Sequence, residues 1–202
     1  MPSSLPLYPL FLKLDGRRVL VVGGGPVATG KVRSLLESGA VVTLVAPEIT
    51  PELRDLASDG NISVARRSFE ARDLEGCWLV VAAAPPTVNR AVAAAAESQR
   101  LYVLAVDDTS AASAYGAGTL RRGDVTVAVS TDGHAPALAG LLREGLEAVL
   151  PADLARWSDE AARVRADWRA AGVPMAERRP LLLQALNRLY EARRDGAKVS
   201  AP

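Results

Sequence analysis

The most constraining feature of this sequence is a short apolar run that ends abruptly at three glycines. Val19–Val22 contains only valine and leucine, and Gly23, Gly24 and Gly25 follow it directly. An apolar run of this length is typical of a strand that is buried on both faces, as in a parallel sheet. The helical pattern that follows, from Val27 to Ser38, makes the whole stretch a strand–loop–helix unit.

The alternation of apolar runs and helical stretches continues through the first two-thirds of the chain. Four further runs predict strands at Val41–Val45, Ile62–Val64, Trp78–Val81 and Tyr102–Val106. The alanine-rich stretch Thr87–Gln99 predicts the helix between the last two strands. Strands and helices at this spacing predict an α/β fold, a Rossmann-type doubly wound parallel sheet.

The pattern changes after residue 108. Residues 109–118 are small, polar and rich in turn formers, and Val125–Val129 predicts another strand. Pro136–Leu150 predicts an amphipathic helix that begins with proline. From Pro151 onward we expect helices only, the last of them at Leu181–Arg194 after two prolines.

Composition excludes several classes of protein. The 24 basic and 23 acidic residues leave a net charge of +1, whereas nucleic-acid-binding domains are usually strongly basic. The single cysteine and single histidine argue against disulfides and against a zinc site. No run approaches the roughly 18 apolar residues of a membrane span, and no basic residues precede the apolar amino terminus as in a secretory signal. We therefore expect a cytoplasmic protein with no nucleic-acid partner, no membrane contact and no bound metal.

The glycine loop fits the G-x-G-x-x-A pattern of dinucleotide-binding sites. Gly23 allows the tight turn, Gly25 lets the backbone approach a pyrophosphate, and Ala28 lets the helix pack closely on the strand. The first turn of that helix offers free N–H groups and a partial positive charge to phosphates. The alternative interpretation is a glycine turn with a purely structural role.

The end of the second predicted strand bears on the choice of cofactor. An acidic residue near this position would normally bind the adenosine ribose, and Glu48 follows Pro47 there, slightly late. A solvated acid is equally consistent with that position. No arginine directly follows the strand to bind a 2′-phosphate, which favours NAD over NADP.

The same stretch contains a second nucleotide-binding pattern. Gly25–Lys31 matches the G-x-x-x-x-G-K loop of nucleotide triphosphatases. Those enzymes need Ser or Thr directly after the lysine to ligate magnesium, and this chain has Val32. The missing hydroxyl argues against this alternative.

Other candidate residues lie at predicted strand ends and before the Pro136 helix. The small side chains of Ala83 and Ala84 would let the backbone approach a cofactor, or would simply pack a tight loop. A partly shielded Asp107 could exchange protons with a substrate, or could cap the following turn together with its neighbour Asp108. Thr131 could bind a carboxylate ligand or cap the helix, and a lone loop histidine such as His134 is more often a surface residue than a ligand.

Six segments, taken in order along the chain, carry a family resemblance. They are Leu5–Leu12, Val21–Ala28 followed by Lys31, Trp78–Ala84 followed by Val88 and Asn89, Val106 with Asp107, Val127–Gly133, and Leu142–Glu144. Together they resemble the precorrin-2 dehydrogenase family, which also occurs as the amino-terminal part of siroheme synthase.

The resemblance implies an NAD-dependent oxidation of the tetrapyrrole precorrin-2 to sirohydrochlorin by a homodimer. It implies an NAD-binding Rossmann domain over residues 1–112, a dimerisation region over 113–150 and a helical domain over 151–202. Some relatives also insert iron or cobalt, and this sequence leaves that activity open.

Roles for individual residues also follow from the resemblance. Asp107 becomes the catalytic acid or base, and Thr131 falls where some members carry a substrate-loop serine. A substrate with many carboxylates would need arginines, and the candidates are Arg121, Arg122 and Arg143, each of which could also be a solvated surface charge. His134 is a further candidate for binding it. The cofactor contacts become Gly23, Gly25, Pro26, Val27, Pro47 and Glu48, with Ala83 and Ala84 at the next strand end.

An alternative hypothesis is a regulatory module that binds NAD without turning it over. Such a module would need no catalytic Asp107.

Overall fold

The computed structural model describes residues 5–106 and 108–199, and it describes residues 190–199 by their helical backbone alone. The described chain forms two compact units. The first runs to Gly116 and includes Asp132–Ala135, and the second comprises Ala117–Thr131 and the chain from Pro136 onward. Within the described ranges, no helix is both long and apolar enough to span a bilayer.

The first unit is a five-stranded parallel sheet with helices on both faces. Its strands are β1 (Arg18–Val22), β2 (Val41–Val45), β3 (Ile62–Ala65), β4 (Leu79–Ala82) and β5 (Tyr102–Ala105). Its helices are α1 (Pro26–Glu37), α2 (Pro51–Ser58) and α3 (Pro86–Ser98), and a 3₁₀ helix, Ala71–Leu74, lies between β3 and β4. The strand order β3-β2-β1-β4-β5 confirms the predicted doubly wound α/β fold.

The central strand β1 separates two apolar cores. Val19 and Val21 pack in one core with residues of α1 and α2, whereas Leu20 and Val22 pack in the other with residues of α3. All four side chains are buried. The uninterrupted apolar run is therefore explained by burial on both faces of the sheet.

The second unit combines a hairpin with three helices. Its elements are β6 (Gly118–Arg122), β7 (Val125–Val129), α4 (Pro136–Val149), α5 (Leu154–Ala170) and α6 (Met175–Val199). The antiparallel register pairs Arg122 with Val125 and leaves a two-residue loop, in which Gly123 has a φ of 59°. A positive φ is what such short hairpin turns require.

Four elements differ from the sequence-based expectation, and one of them is the 3₁₀ helix Ala71–Leu74, which is absent from it. The short helix α2, which has Thr50 as its N-cap, and the strand β6, in which only Leu120 is buried, are absent from that expectation. The last helix begins at Met175, so the predicted start at Leu181 is wrong. Pro180 lies inside α6, where a proline removes one backbone hydrogen bond without ending the helix.

Candidate functional site

The first two glycines after β1 are required by close packing of the loop. Gly23 has a φ of 122°, which L side chains rarely adopt, and a Cβ there would overlap the carbonyl of Ala83. A Cβ on Gly24 would overlap the carbonyl of Glu48. The Gly24 carbonyl also accepts a hydrogen bond of 3.0 Å from the Thr50 N–H. These glycines therefore let the loop lie against the ends of β2 and β4.

Gly25 differs from its two neighbours. Its φ of −83° is open to any residue, and a Cβ there would meet nothing within 4 Å among the described residues. It is the N-cap of α1 but supplies no side-chain cap, and Pro26 has no N–H to offer. The N–H groups of Val27 and Ala28 lie in the first turn, where helical amides have no acceptor within their own helix. The space in front of this helix N-terminus is therefore unobstructed, and helix N-termini of this kind bind phosphate groups.

A relay of hydroxyl groups anchors the loop from behind. The Thr29 hydroxyl donates to the Gly25 carbonyl over 3.0 Å, so it accepts from the Thr50 hydroxyl, 2.9 Å away. Thr50 in turn accepts from the Leu53 N–H over 3.3 Å and caps α2. Neither threonine was expected at the site, although Thr50 before Pro51 is a recognisable helix start.

A cleft of about 210 Å³ lies at the carboxyl ends of β4 and β5. The residues that line it are Val27, Ala83, Ala84, Pro86, Asn89 and Val106. The structure therefore brings the first turn of α1 together with the two alanines predicted at the end of β4. Their contact with a cofactor stays a prediction.

Asn89 joins the ends of β4 and β5. It lies in the first turn of α3, is only 2 % exposed, and its Oδ1 accepts from the Ala84 N–H over 3.0 Å. Its Nδ2 donates to the Val106 carbonyl over 3.4 Å, and the Val106 N–H donates to the Ala82 carbonyl over 2.9 Å. In the sequence Asn89 only contributes to a family motif, because burial of a helix residue between two strand ends is a tertiary feature.

Of the two aspartates that follow β5, the structure describes Asp108 and not Asp107. Asp107 lies outside the described residues, so its catalytic role stays a prediction. Asp108 accepts from the Ser110 hydroxyl over 2.6 Å, from the Ser110 N–H over 3.1 Å and from the Ala111 N–H over 3.2 Å. The Ser110 hydroxyl, followed by these backbone donors, holds the pKa of Asp108 below its usual range. Asp108 therefore has the turn-capping role that the sequence left open for the pair.

The predicted adenosine contacts lie on the other side of the glycine loop. Pro47 and Glu48 are exposed just beyond β2, and the Glu48 backbone lies against Gly24. Glu48 is thus near the loop, and its bond to a ribose stays a prediction.

The predicted substrate contacts are divided between the two units. His134 is exposed, and its neighbour Gly133 packs closely enough that a Cβ there would lie 2.8 Å from the Thr109 methyl group and 3.0 Å from the Tyr115 ring. The segment that carries His134 therefore lies beside the turn that follows Asp108. The roles of this segment stay predictions.

Thr131 and Arg143 belong to the second unit. Thr131 is half-buried after the end of β7. Arg143 lies on α4, and its guanidinium forms ion pairs with Glu147 over 2.9 Å and with Glu144 over 3.2 Å. Any carboxylate that binds Arg143 must therefore compete with two carboxylates of the same helix.

The buried Val32 and the arrangement of possible metal ligands bear on the alternative nucleotide and metal sites. Val32, which stands where a nucleotide triphosphatase needs a hydroxyl, is fully buried in α1. Among the described side chains, those of residues 5–106 and 108–189, no three His, Cys, Asp or Glu residues are grouped so that they could hold a metal ion. Cys77 is half-buried, and burial raises the pKa of its thiol.

Two family models match parts of this chain. Residues 10–116 match a family model described as NAD(P)-binding, and residues 122–148 match one described as sirohaem biosynthesis protein central. Siroheme synthase 3 of Aeromonas hydrophila subsp. hydrophila is 41% identical over 196 residues, which cover 96% of this chain and 42% of that protein. Siroheme synthase of Citrobacter koseri is 41% identical over 172 residues, which cover 85% of this chain and 38% of that protein.

This chain thus spans about two-fifths of the length of those curated relatives, 42% and 38%. A solved structure named SirC, precorrin-2 dehydrogenase, superposes with a TM-score of 0.70 at 27% identity. The superposition covers 88% of each chain.

Proposed function

This chain belongs to the NAD(P)-binding family matched over residues 10–116, the family of precorrin-2 dehydrogenase and of the amino-terminal part of siroheme synthase, and we propose that it oxidises precorrin-2 to sirohydrochlorin with NAD. The observation that carries this proposal is the unobstructed space at Gly25, where the start of α1 adjoins the cleft at the ends of β4 and β5. A dinucleotide needs both features, an anion site for its pyrophosphate and a cleft beside it.

The proposed contacts cover each part of NAD, from the pyrophosphate to the adenosine and nicotinamide ends. The pyrophosphate would lie at the start of α1, which has no side-chain cap, in contact with Gly23, Gly25, Pro26 and Val27. Pro47 and Glu48 would hold the adenosine end, and Ala83 and Ala84 the nicotinamide end. Bound NAD supplies the capacity to accept a hydride.

Asp107 is the proposed catalytic base. Oxidation of the macrocycle removes one hydride and one proton, and the Asp107 carboxylate would accept the proton. It follows Val106, which lines the cleft, so a carboxylate at this chain position is close in sequence to the proposed nicotinamide site. Asp108 has the separate task of capping the turn.

Thr131, His134 and Arg143 are the proposed contacts for the carboxylates of the tetrapyrrole. Arg143 is half-buried, and substrate carboxylates would replace Glu144 and Glu147 as its partners. The metal insertion seen in some relatives stays open for this chain.

We further propose a homodimer in the cytoplasm, where NAD is available, built from an NAD-binding domain (1–112), a dimerisation region (113–150) and a helical domain (151–202). An apolar stripe on α4 supports the dimerisation region. Its members recur at helical spacing and are 47–75% exposed in the single chain: Leu138, Leu141, Leu142 and Val149. Apolar residues exposed in such a row are typical of a surface that another chain covers.

The direct test is turnover under anaerobic conditions. Purified protein, NAD and precorrin-2 should yield NADH and sirohydrochlorin in equal amounts, followed by their absorption spectra. Asp107→Asn should lower kcat about 100-fold or more and leave NAD affinity unchanged, since proton transfer contributes roughly 10²–10⁴-fold in enzymes. Asp108→Asn is the matched control, because an asparagine oxygen can still accept the turn-capping hydrogen bonds.

Three results would contradict the proposal. NAD binding without turnover would favour the regulatory module, and binding of ATP with magnesium in place of NAD would favour the nucleotide triphosphatase pattern. Unchanged kcat in Asp107→Asn would remove Asp107 from the mechanism.

A further inference from the structure

We propose that Asn89 is a positioning residue, which fastens the ends of β4 and β5 together and holds the Val106 carbonyl, directly before Asp107 in the sequence. The proposal rests on the proposed function, because it assigns Asn89 a task in the same cleft. Asn89 itself transfers no proton or hydride.

The hydrogen bonds of Asn89 define this task. Parallel pairing of β4 with β5 ends at the pair Ala82 and Ala105, so the Ala84 N–H and the Val106 carbonyl lie beyond the ladder. Among the described residues each of these groups has Asn89 as its hydrogen-bond partner, at 3.0 and 3.4 Å. The Ala84 N–H needs an acceptor and the Val106 carbonyl needs a donor. A neutral side-chain amide supplies both.

Asn89 makes these hydrogen bonds within the cleft where the proposed oxidation takes place. Asn89, Ala84 and Val106 all line the cleft, so the groups that Asn89 holds form part of the wall of the proposed nicotinamide site. The Val106 carbonyl belongs to the peptide bond whose nitrogen is that of Asp107. Asn89 therefore fixes the last described backbone group before the proposed catalytic residue. Misplacement of a reacting group by about 1 Å can cost roughly 100-fold in rate.

Two near-isosteric variants test the hydrogen bonds of Asn89: one removes both, and the other keeps the acceptor and makes the donor depend on pH. Asn89→Leu removes both hydrogen bonds, and we expect kcat to fall about tenfold or more, with a smaller change in the Kd for NAD because the pyrophosphate and adenosine contacts lie elsewhere. Asn89→Asp keeps the acceptor for the Ala84 N–H. Its donor depends on pH, because only a protonated carboxyl group can donate to the Val106 carbonyl.

The pH profile of Asn89→Asp is the decisive measurement. Burial raises the pKa of a carboxyl group, so the protonated form, which restores both bonds, is populated at the acidic end of the profile. As the pH rises the group ionises, loses its donor and faces the Val106 carbonyl with a negative charge. The ratio of variant to wild-type kcat should therefore fall with increasing pH, whereas the exposed control Asn61→Asp should give a constant ratio near one.

The outcomes distinguish the two proposals. A wild-type protein that binds NAD but does not oxidise precorrin-2 contradicts the proposed function and, with it, a catalytic task for Asn89. An active wild-type protein with a pH-independent kcat ratio for Asn89→Asp overturns the positioning role alone. So does a folded Asn89→Leu variant with wild-type kcat, its fold being checked by circular dichroism and thermal unfolding.

Discussion

Gly25 and Gly30 allow the binding role of a glycine to be separated from its role in folding. A methyl group on either would meet nothing within 4 Å among the described residues, but Gly25 lies at the start of α1 and Gly30 inside it. Gly25→Ala should weaken NAD binding about tenfold or more, because the methyl group would occupy the space proposed for the pyrophosphate, and should leave the thermal midpoint nearly unchanged. Gly30→Ala should bind NAD normally and gain about 0.5–1 kcal/mol of stability. Titration of NAD and thermal unfolding of both variants measure this, and equal NAD affinities would contradict the cofactor site.

The individual residues of the site differ in how visible they are in the sequence. The conformation of Gly23 and the openness at Gly25 agree with the G-x-G-x-x-A pattern, since a local motif encodes a local turn. Gly24 is constrained by the carbonyl of Glu48, and Asn89 by two strand ends. Such requirements arise only after distant segments pack together, so composition and spacing do not reveal them.

At the scale of elements, an ion pair between Arg67 and Asp73 helps to hold the connection between β3 and β4. Arg67 binds Asp73 through two hydrogen bonds of 2.8 and 2.5 Å, and this arginine holds the pKa of Asp73 below its usual range. Asp73→Asn should lower the free energy of unfolding at neutral pH by about 1–3 kcal/mol. A depressed carboxyl pKa stabilises the fold above the unfolded-state pKa, and that contribution is lost as the pH falls through the folded-state value.

The difference between wild type and Asp73→Asn in urea unfolding should therefore shrink below about pH 4. Asp55→Asn, an exposed aspartate on α2, serves as the control and should show a small difference throughout. A difference for Asp73→Asn that is independent of pH would show that the carboxylate charge is not what fastens this connection.

Elements that carry their own apolar pattern are the ones the sequence predicts well. β2 and β7 have the predicted bounds, Val41–Val45 and Val125–Val129, because β-branched runs between turn residues indicate strands directly. β6 has the sequence GTLRR and becomes a strand through its pairing with β7. The Gly123–Asp124 turn is the one local signal that could have revealed it.

At the scale of the whole molecule, the proposed homodimer can be tested with two leucines of nearly equal exposure. Leu141 on α4 is 65% exposed and Leu183 on α6 is 62% exposed, but only Leu141 belongs to the α4 stripe. Leu141→Glu should raise the dimer dissociation constant about tenfold or more, because a carboxylate would be buried in an apolar interface. Leu183→Glu should leave it unchanged.

Sedimentation velocity over a range of protein concentrations measures both variants against wild type. The Leu141→Glu protein should still bind NAD with wild-type affinity, because the glycine loop and the cleft both belong to the first unit. Turnover of precorrin-2 by the dissociated chain then tests whether the second copy supplies a substrate contact. If the dissociated chain loses kcat but still binds NAD, such a contact comes from the second copy. A wild-type protein that is monomeric at all concentrations would contradict the homodimer and leave the α4 stripe without the partner proposed for it.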